Sequence, residues 1–381
     1  MSAEHAPKAA QAFLPACGGR SKWGERHAFG SRRDLERRCH AAGETVVTAA
    51  AMGSAESLSP ADRATARTAK IVYLDQNKWI DLARAVAAPA EHPDNRKLLE
   101  FLCAKAEAGE IRLPLTASNL YETHKLNDPA QRFNLAYTQV TLSGAEVFRG
   151  HRRRLETEAA LVLSKFYDMG WSEDDPNWVF SRLFVEAHLD ADDPRLESPI
   201  PEPVLALMRA YPQRAMLDHL VGGPDDLRRA AISKFEAGCE ALRLDIEARR
   251  QRHKGESEST RRKIYSVLLV LNEQQFLIAA ADRVGVPWER LKENNGSAVR
   301  TPARETPTLL IEREIALKLE AQARAIHVND MRDLRNFATV LPYADIVVAE
   351  NQFTNLARQA GLGDRFGVRL ETDLQSLVGL L

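Results

Sequence analysis

Strand-forming runs stand at two places far apart in this chain, and the long stretch between them reads as helices and polar loops. Lys70-Ile71-Val72-Tyr73-Leu74 and Ile111-Arg112-Leu113-Pro114-Leu115 form the first pair; Asp345-Ile346-Val347-Val348-Ala349 and Phe366 to Leu370 form the second. Such short β-branched, bounded runs are the pattern of buried strands, and Pro114 suggests a sheet edge or a strand end for the second run. Neither pair alone supplies a parallel sheet that helices can cover, whereas four strands together do. The pattern therefore predicts an α/β domain made of residues 70–128 and 326–381, with residues 129–325 as an all-helical insertion. Within that insertion, apolar residues recur at helical spacing in Leu155 to Tyr167, Val179 to Ala187, Val204 to Tyr211, Leu227 to Ile246, Ile264 to Val284 and Leu309 to Leu319. No fixed period links them, which excludes a solenoid.

Residues 1–69 are rich in Ala, Gly, Ser and Arg with little periodicity, and read as a disordered leader. Met52 lies shortly before the first strand and is a candidate for the natural start of translation. The whole chain carries 52 Lys+Arg against 53 Asp+Glu, so any nucleic-acid contact has to come from a local patch rather than a general basic excess. Cys17, Cys39, Cys103 and Cys239 contain no Cys-x-x-Cys pair, against both a disulfide scaffold and a structural zinc site. No apolar run approaches the roughly 18 residues of a membrane span, and no secretory signal opens the chain. A cytoplasmic protein is expected, and its oligomeric state is left open.

In a parallel β/α sheet ligands gather at the carboxyl ends of the strands, and that rule selects particular acids. Asp75 ends the first strand, Glu122 lies early in the helix capped by Thr116 or Ser118, and Glu350 follows the third strand, at whose start stands Asp345. Asp330 and Asp333 fall in the first turns of the helix before it. Carboxylates converging on one edge repel one another unless a cation intervenes, and hard divalent ions such as Mg²⁺ or Mn²⁺ suit oxygen ligands. One or two such metals orient a phosphodiester, activate a water and stabilise the leaving oxygen without a covalent nucleophile.

Ile71-Val72-Tyr73-Leu74-Asp75-Gln76-Asn77-Lys78-Trp79-Ile80-Asp81-Leu82 resembles the opening strand and helix of PIN-domain ribonucleases, where the first metal-binding Asp follows a hydrophobic strand. Leu115-Thr116-Ala117-Ser118-Asn119-Leu120-Tyr121-Glu122-Thr123 is similar to their second motif, a Ser/Thr-led helix presenting a Glu, and Asp333 with Glu350-Asn351-Gln352-Phe353 resembles their later acids. The resemblance covers about 120 residues. It implies a PIN-like three-layer α/β/α domain with a short, mostly parallel sheet and a metal-dependent endoribonuclease acting on single-stranded RNA. Asp75, Glu122, Asp333 and Glu350 become the implied ligands of Mg²⁺ or Mn²⁺, Asn77 a polar neighbour for water or phosphate, and Asp330 and Asp345 further candidates. Spacing favours Asp333 over Asp330 as the third acid. The chain departs from the family in having Glu350 where Asp is commoner, and in its large insert. A toxin-like or defensive role and a protein inhibitor are implied by analogy alone.

Rival readings rest on other residues. Arg214-x4-His219 has the spacing of metal-independent HEPN ribonucleases, although Ala215 replaces the usual polar neighbour; Asn77 replaces the second Asp that a haloacid dehalogenase needs; and there is no Gly-rich phosphate loop. Arg249, Arg250, Arg252, Lys254, Arg261, Arg262 and Lys263 form the candidate nucleic-acid patch, with His151-Arg152-Arg153-Arg154 as a second cluster; either can equally be a solvated helix end. His124, near Glu122, is a candidate neighbour of the metal site or an exposed helix residue. A catalytically silent PIN-like fold, whose helical region is a protein- or nucleic-acid-binding module, is the alternative to the enzyme.

Overall fold

The computed structural model describes residues 69–381 except 192, 194, 195, 197, 198, 273 and 292–299. The leader, Met52, Cys17 and Cys39 lie outside the described residues. The chain begins with strand β1 (Lys70–Leu74), helix α1 (Gln76–Ala87) and α2 (Pro93–Glu107), followed by the short edge strand β2 (Ile111–Arg112), α3 (Ala117–Lys125) and α4 (Pro129–Ser143). A two-residue strand β3 (Val147–Phe148), α5 (His151–Tyr167) and β4 (Phe180–Ser181) follow. Helices α6 (Glu202–Ala210), α7 (Pro212–Gly222), α8 (Asp225–Arg252), α9 (Glu258–Asn272), α10 (Gln274–Val284) and α11 (Pro307–Ala321) lead to α12 (Val328–Val340). The chain then closes with β5 (Ile346–Val348), α13 (Asn351–Gln359) and β6 (Arg369–Glu371).

The two ends of the chain join in one parallel sheet of order β2-β1-β5-β6, in which Val72 pairs with Ile346 and Leu74 with Val348. β2 lies at the sheet edge and ends at Arg112, two residues before Pro114. Ile71, Tyr73 and Val347 face a core shared with Met331, Leu334 and Phe337 of α12, whereas Val72, Leu74 and Val348 face Trp79, Leu82, Leu102 and Leu135. Helices thus cover both faces, and a strand buried on both sides has to be apolar at every position, as β1 is from Ile71 to Leu74. Burial of four such side chains stabilises the fold by about 6–12 kcal/mol relative to leaving them exposed.

Three expectations need correction. The stretch 129–325 is not all-helical: β3 and β4 pair antiparallel, and Leu115 bridges Val147 in parallel, so β3 reaches the domain it was expected to interrupt. Two-residue strands carry no measurable period, which is why no pattern announces them. Its flanking helices also belong to the sheet's two cores, with Leu135 and Val140 of α4 on one face and Leu310, Ile311 and Ile315 of α11 on the other. Finally, Phe366 ends a short helix rather than starting a strand, and the strand runs Arg369–Glu371.

A buried polar joint fastens the helical part to the sheet. Arg154, on α5, donates to the hydroxyls of Thr308 (3.1 Å) and Thr339 (2.8 Å) and to the Arg149 carbonyl (2.8 Å). Glu158, one turn on, accepts from the Thr308 amide and hydroxyl, both at 2.8 Å, and from the Tyr343 hydroxyl. Each charge is surrounded by partners from other elements, the condition under which a buried ion is tolerated.

Candidate acidic site at the carboxyl edge of the sheet

Asp75 is the N-cap of α1: its carboxylate accepts from the Gln76 amide at 2.9 Å, and its own amide donates to the Val348 carbonyl at 2.9 Å, fixing it at the junction of β1 and β5. Glu350 is the N-cap residue of α13 and is exposed; the Asn77 side-chain amide donates to its carboxylate. Glu122 lies on α3, whose start Thr116 closes in a capping box with Asn119. Asp333 comes from the second turn of α12. Four elements separated by up to 275 residues in sequence therefore deliver one acid each.

The four acids lie within reach of one another's charge. Burial pushes the Asp333 carboxyl up to about 8, aided by the charges of Asp75, Glu122 and Glu350. Burial and the Asp75 charge push Glu122 up to about 7, against the opposing pull of Arg332 and Lys125. Asp75 is raised by burial and by Glu350, although the Gln76 N–H and Lys78 hold it back. The site is thus proton-hungry around neutral pH because its negative charges share a partly desolvated space. Among the described residues, no three His, Cys, Asp or Glu side chains stand close enough to hold a metal ion as they are oriented. The donor set fits a hard divalent cation in chemistry, all oxygen and anionic, but it forms an electrostatic ring rather than a closed ligand shell.

The other expected site residues lie elsewhere. Asp330 completes a capping box with His327, whose amide it accepts at 2.8 Å, and pairs bidentately with Arg324 at 2.8 and 2.9 Å. Burial alone would raise its carboxyl, but Arg324 and the His327 N–H outweigh it and hold it below the usual range. Asp330 is therefore a structural cap, and Asp333 is the acid that joins the ring. Asp345 lies at the opposite end of β5, where its carboxylate accepts from the Ile71 amide at 2.6 Å and ties β1 to β5. His124 packs against the His219 ring at a 60° tilt, its Nε2 lying 3.2 Å from the His219 carbonyl oxygen. The HEPN spacing also fails in three dimensions. Arg214 is exposed and paired to Asp218 at 2.7 Å, while His219 stacks on Phe184 and is pushed down to about 3 by burial and by His124 and His188.

Much of the basic sequence is engaged in holding helices together. Arg152 pairs with Glu156, Arg153 with Glu173, and Arg154 is buried in the joint described above. In the second cluster Arg249 pairs with Glu320 at 2.6 Å and covers the Tyr265 ring, and Arg262 is forked onto Glu314 and Glu258. Arg250 donates to the carbonyls of Gln322 and Arg324.

Sequence reasoning missed the layer beneath the acids. Asn119 and Gln139 donate to the Gln76 side-chain oxygen at 3.1 and 3.2 Å, Gln76 donates to Thr123 at 3.2 Å, and Thr123 lies 2.8 Å from Gln139. Thr116 extends the chain to Asn336 on α12 at 3.0 Å. All six side chains are buried. The network bolts together α1, α3, α4 and α12, three of which carry Asp75, Glu122 or Asp333 at or near their ends. Its signal in the sequence was faint: Asn119 and Thr123, four apart, put polar groups on the face of α3 that also buries Leu120. Arg332 was also overlooked. Its guanidinium lies 5.6 Å from the Tyr121 ring centroid, and its charge opposes that of Glu122. No family model, curated protein or solved structure matches the chain.

Proposed function

We propose that the chain is a metal-dependent endoribonuclease that hydrolyses phosphodiester bonds of single-stranded RNA at this acidic edge. The observation that carries the reading is the convergence of Asp75, Glu122, Asp333 and Glu350, from four elements, at the carboxyl end of a parallel sheet, with Glu122 and Asp333 each raised by burial and by the charges of Asp75 and Glu350. Carboxylates are costly to gather without a function for their charge. The choice of RNA follows the PIN-like resemblance of the two motifs.

Asp75, Glu122, Asp333 and Glu350 are the residues that would hold Mg²⁺ or Mn²⁺, and the bound ion would supply a water acidic enough to attack phosphorus and charge to stabilise the leaving oxygen. The chain's own residues do the positioning. Asp75 is fixed by its cap bond, Asn77 holds Glu350 at the rim, and the amide network sets the angles of α1, α3 and α12. Arg332 offers a cation beside Glu122 for the non-bridging oxygens of the scissile phosphate. A second reading draws on the open spacing of the acids, in which no three form a metal cage: a catalytically silent PIN-like fold whose helices bind a partner.

Purified protein incubated with end-labelled single-stranded RNA and Mn²⁺ or Mg²⁺, beside Asp75→Asn and a single-stranded DNA control, decides between them. The enzyme reading expects metal-dependent cleavage of RNA that Asp75→Asn lowers by about a hundredfold or more, the loss of roughly 3 kcal/mol of transition-state stabilisation. Absence of metal-dependent cleavage, or equal cleavage by the variant, favours the silent fold.

A further inference from the structure

A cavity of about 300 Å³ opens where the end of α8, the turn into α9 and the end of α11 meet, lined by Arg250, Lys254, Glu256, Arg261, Glu320 and Gln322 among others. Volumes of this size are at the low end of ligand clefts. Gly255 takes a positive φ of 93°, which turns the chain back so that Lys254 and Arg261 border the same space. Three lining cations face two lining carboxylates. The charge of Glu320 is matched from behind by Arg249 at 2.6 Å and that of Arg250 by Glu247 at 3.3 Å, which leaves Lys254 and Arg261 facing Glu256 and a net positive field. Arg261 is held by this wall only through a long ion pair with Glu320. Its Nη1 is 3.8 Å from Glu320, beyond hydrogen-bond reach, and its Nε–H is buried without an acceptor. A guanidinium with no carboxylate within hydrogen-bond distance, beside an exposed lysine, is suited to an oxyanion with several acceptor oxygens.

The cavity also has a fixed relation to the acidic edge. Glu236, on the same helix α8, accepts from the hydroxyl of Tyr121, the neighbour of Glu122, at 2.6 Å. From Glu236 to Arg250 the helix rises about 21 Å at 1.5 Å per residue. That is the length of roughly six stacked nucleotides at 3.4 Å each.

We propose that this cavity is a phosphate-binding site which holds the backbone of a single-stranded RNA whose scissile bond lies at the acidic edge. The identity of the strand rests on the ribonuclease reading; the phosphate chemistry of the cavity does not. Contacts of this kind give affinity without base preference.

The test is binding of fluorescein-labelled single-stranded RNA by anisotropy, in EDTA so that no cleavage occurs, with 4-mer and 15-mer probes. Lys254→Glu in the exposed turn and Arg261→Gln are compared with wild type and with Arg214→Glu, a control on α7. The expected result is weaker 15-mer binding by about tenfold in Lys254→Glu and about fivefold in Arg261→Gln, with the slope of log affinity against log salt shallower by about one per lost contact. Arg214→Glu leaves both unchanged, and the 4-mer, too short to span the two sites, does not distinguish wild type from Lys254→Glu. Inorganic phosphate competes with the 15-mer in wild type only. Wild-type affinity for the 15-mer in both cavity variants overturns the proposal, as does a 4-mer equally sensitive to Lys254→Glu, which marks a site for free nucleotides. Cavity variants that lose binding in a protein that never cleaves RNA overturn the ribonuclease reading and leave the phosphate site standing. Cleavage by wild type with unimpaired cavity variants does the reverse. Equal thermal melts exclude misfolding of Arg261→Gln as the cause.

Discussion

Replacing Asp333 by Asn should stabilise the metal-free protein while removing its activity. Asp333 is pushed up to about 8 by burial and by Asp75, Glu122 and Glu350, so in the folded chain it resists ionising far more than in the unfolded chain. For an acid whose folded value is raised, stability is greatest below the unfolded value and falls as pH rises toward the folded one. One unit is about 1.36 kcal/mol, which caps the penalty at about 5–6 kcal/mol by pH 8. Glu122 takes up a proton in the same range and shares the repulsion, and the amide of Asn keeps part of the burial cost, so about 2–3 kcal/mol is the expected gain. At about 2–4 °C per kcal/mol, Tm in EDTA should rise by about 4–12 °C at pH 8.

The assay is thermal denaturation of both proteins at pH 8 and at pH 4, with EDTA and with Mn²⁺. At pH 4 the carboxyl is largely protonated in the folded state and the advantage of Asn should shrink toward zero. With Mn²⁺ at a hundred times its dissociation constant, wild type should gain about 2.7 kcal/mol by mass action and the variant much less, so their order should reverse. A variant no more stable than wild type at pH 8 in EDTA, or more stable by the same amount at both pH values, would refute the claim that the acids repel one another across a shared site.

Further outcomes follow from the scaffold. Gln139→Leu strips partners from Gln76 and Thr123 and should cost about 1–3 kcal/mol in urea unfolding, with a fall in cleavage because α1 and α3 lose their common anchor. Arg154→Met leaves Glu158 buried with its hydroxyl and amide donors but no counter-charge, and should cost about 3–5 kcal/mol, read from the shift in urea midpoint. Gly150→Ala drives a Cβ into the backbone carbonyl of His188, which no rotamer relieves, so this variant should fail to yield folded protein by circular dichroism.

What the sequence disclosed and what it hid divide along physical lines. β1 was plain because a central parallel strand is apolar at every position, and Asp75 was plain because it breaks that run where the strand leaves the sheet. A cap at Thr116 or Ser118 was readable because both are good N-cap residues, and the capping box with Asn119 decides for Thr116. Asp333 could be separated from Asp330 only by spacing, since both lie near one helix start; the structure distinguishes them by Arg324, a partner on no motif. The engagement of Arg262 and Arg249 within the basic run was hidden for the same reason: Glu314 and Glu320, which hold them, lie more than fifty residues away. The amide network was hidden because uncharged polar side chains on helices look solvated until four helices are seen to share them.

The acids and the amides beneath them belong to one design constraint. Four carboxylates at a sheet edge push their elements apart, and the apolar core alone resists that push without fixing direction, because hydrophobic burial is non-directional. Hydrogen bonds among buried amides and hydroxyls are directional and costly to leave unmade, so they hold α1, α3 and α12 at set angles against the repulsion above. On this view Gln139→Glu is the decisive perturbation: it adds a buried charge and removes a donor to Gln76 at nearly constant volume. It should lower stability more at pH 8 than at pH 5, where a raised carboxyl in such a site stays protonated. A Gln139→Glu protein equally stable at both pH values would show that the network tolerates charge and that its role is packing alone.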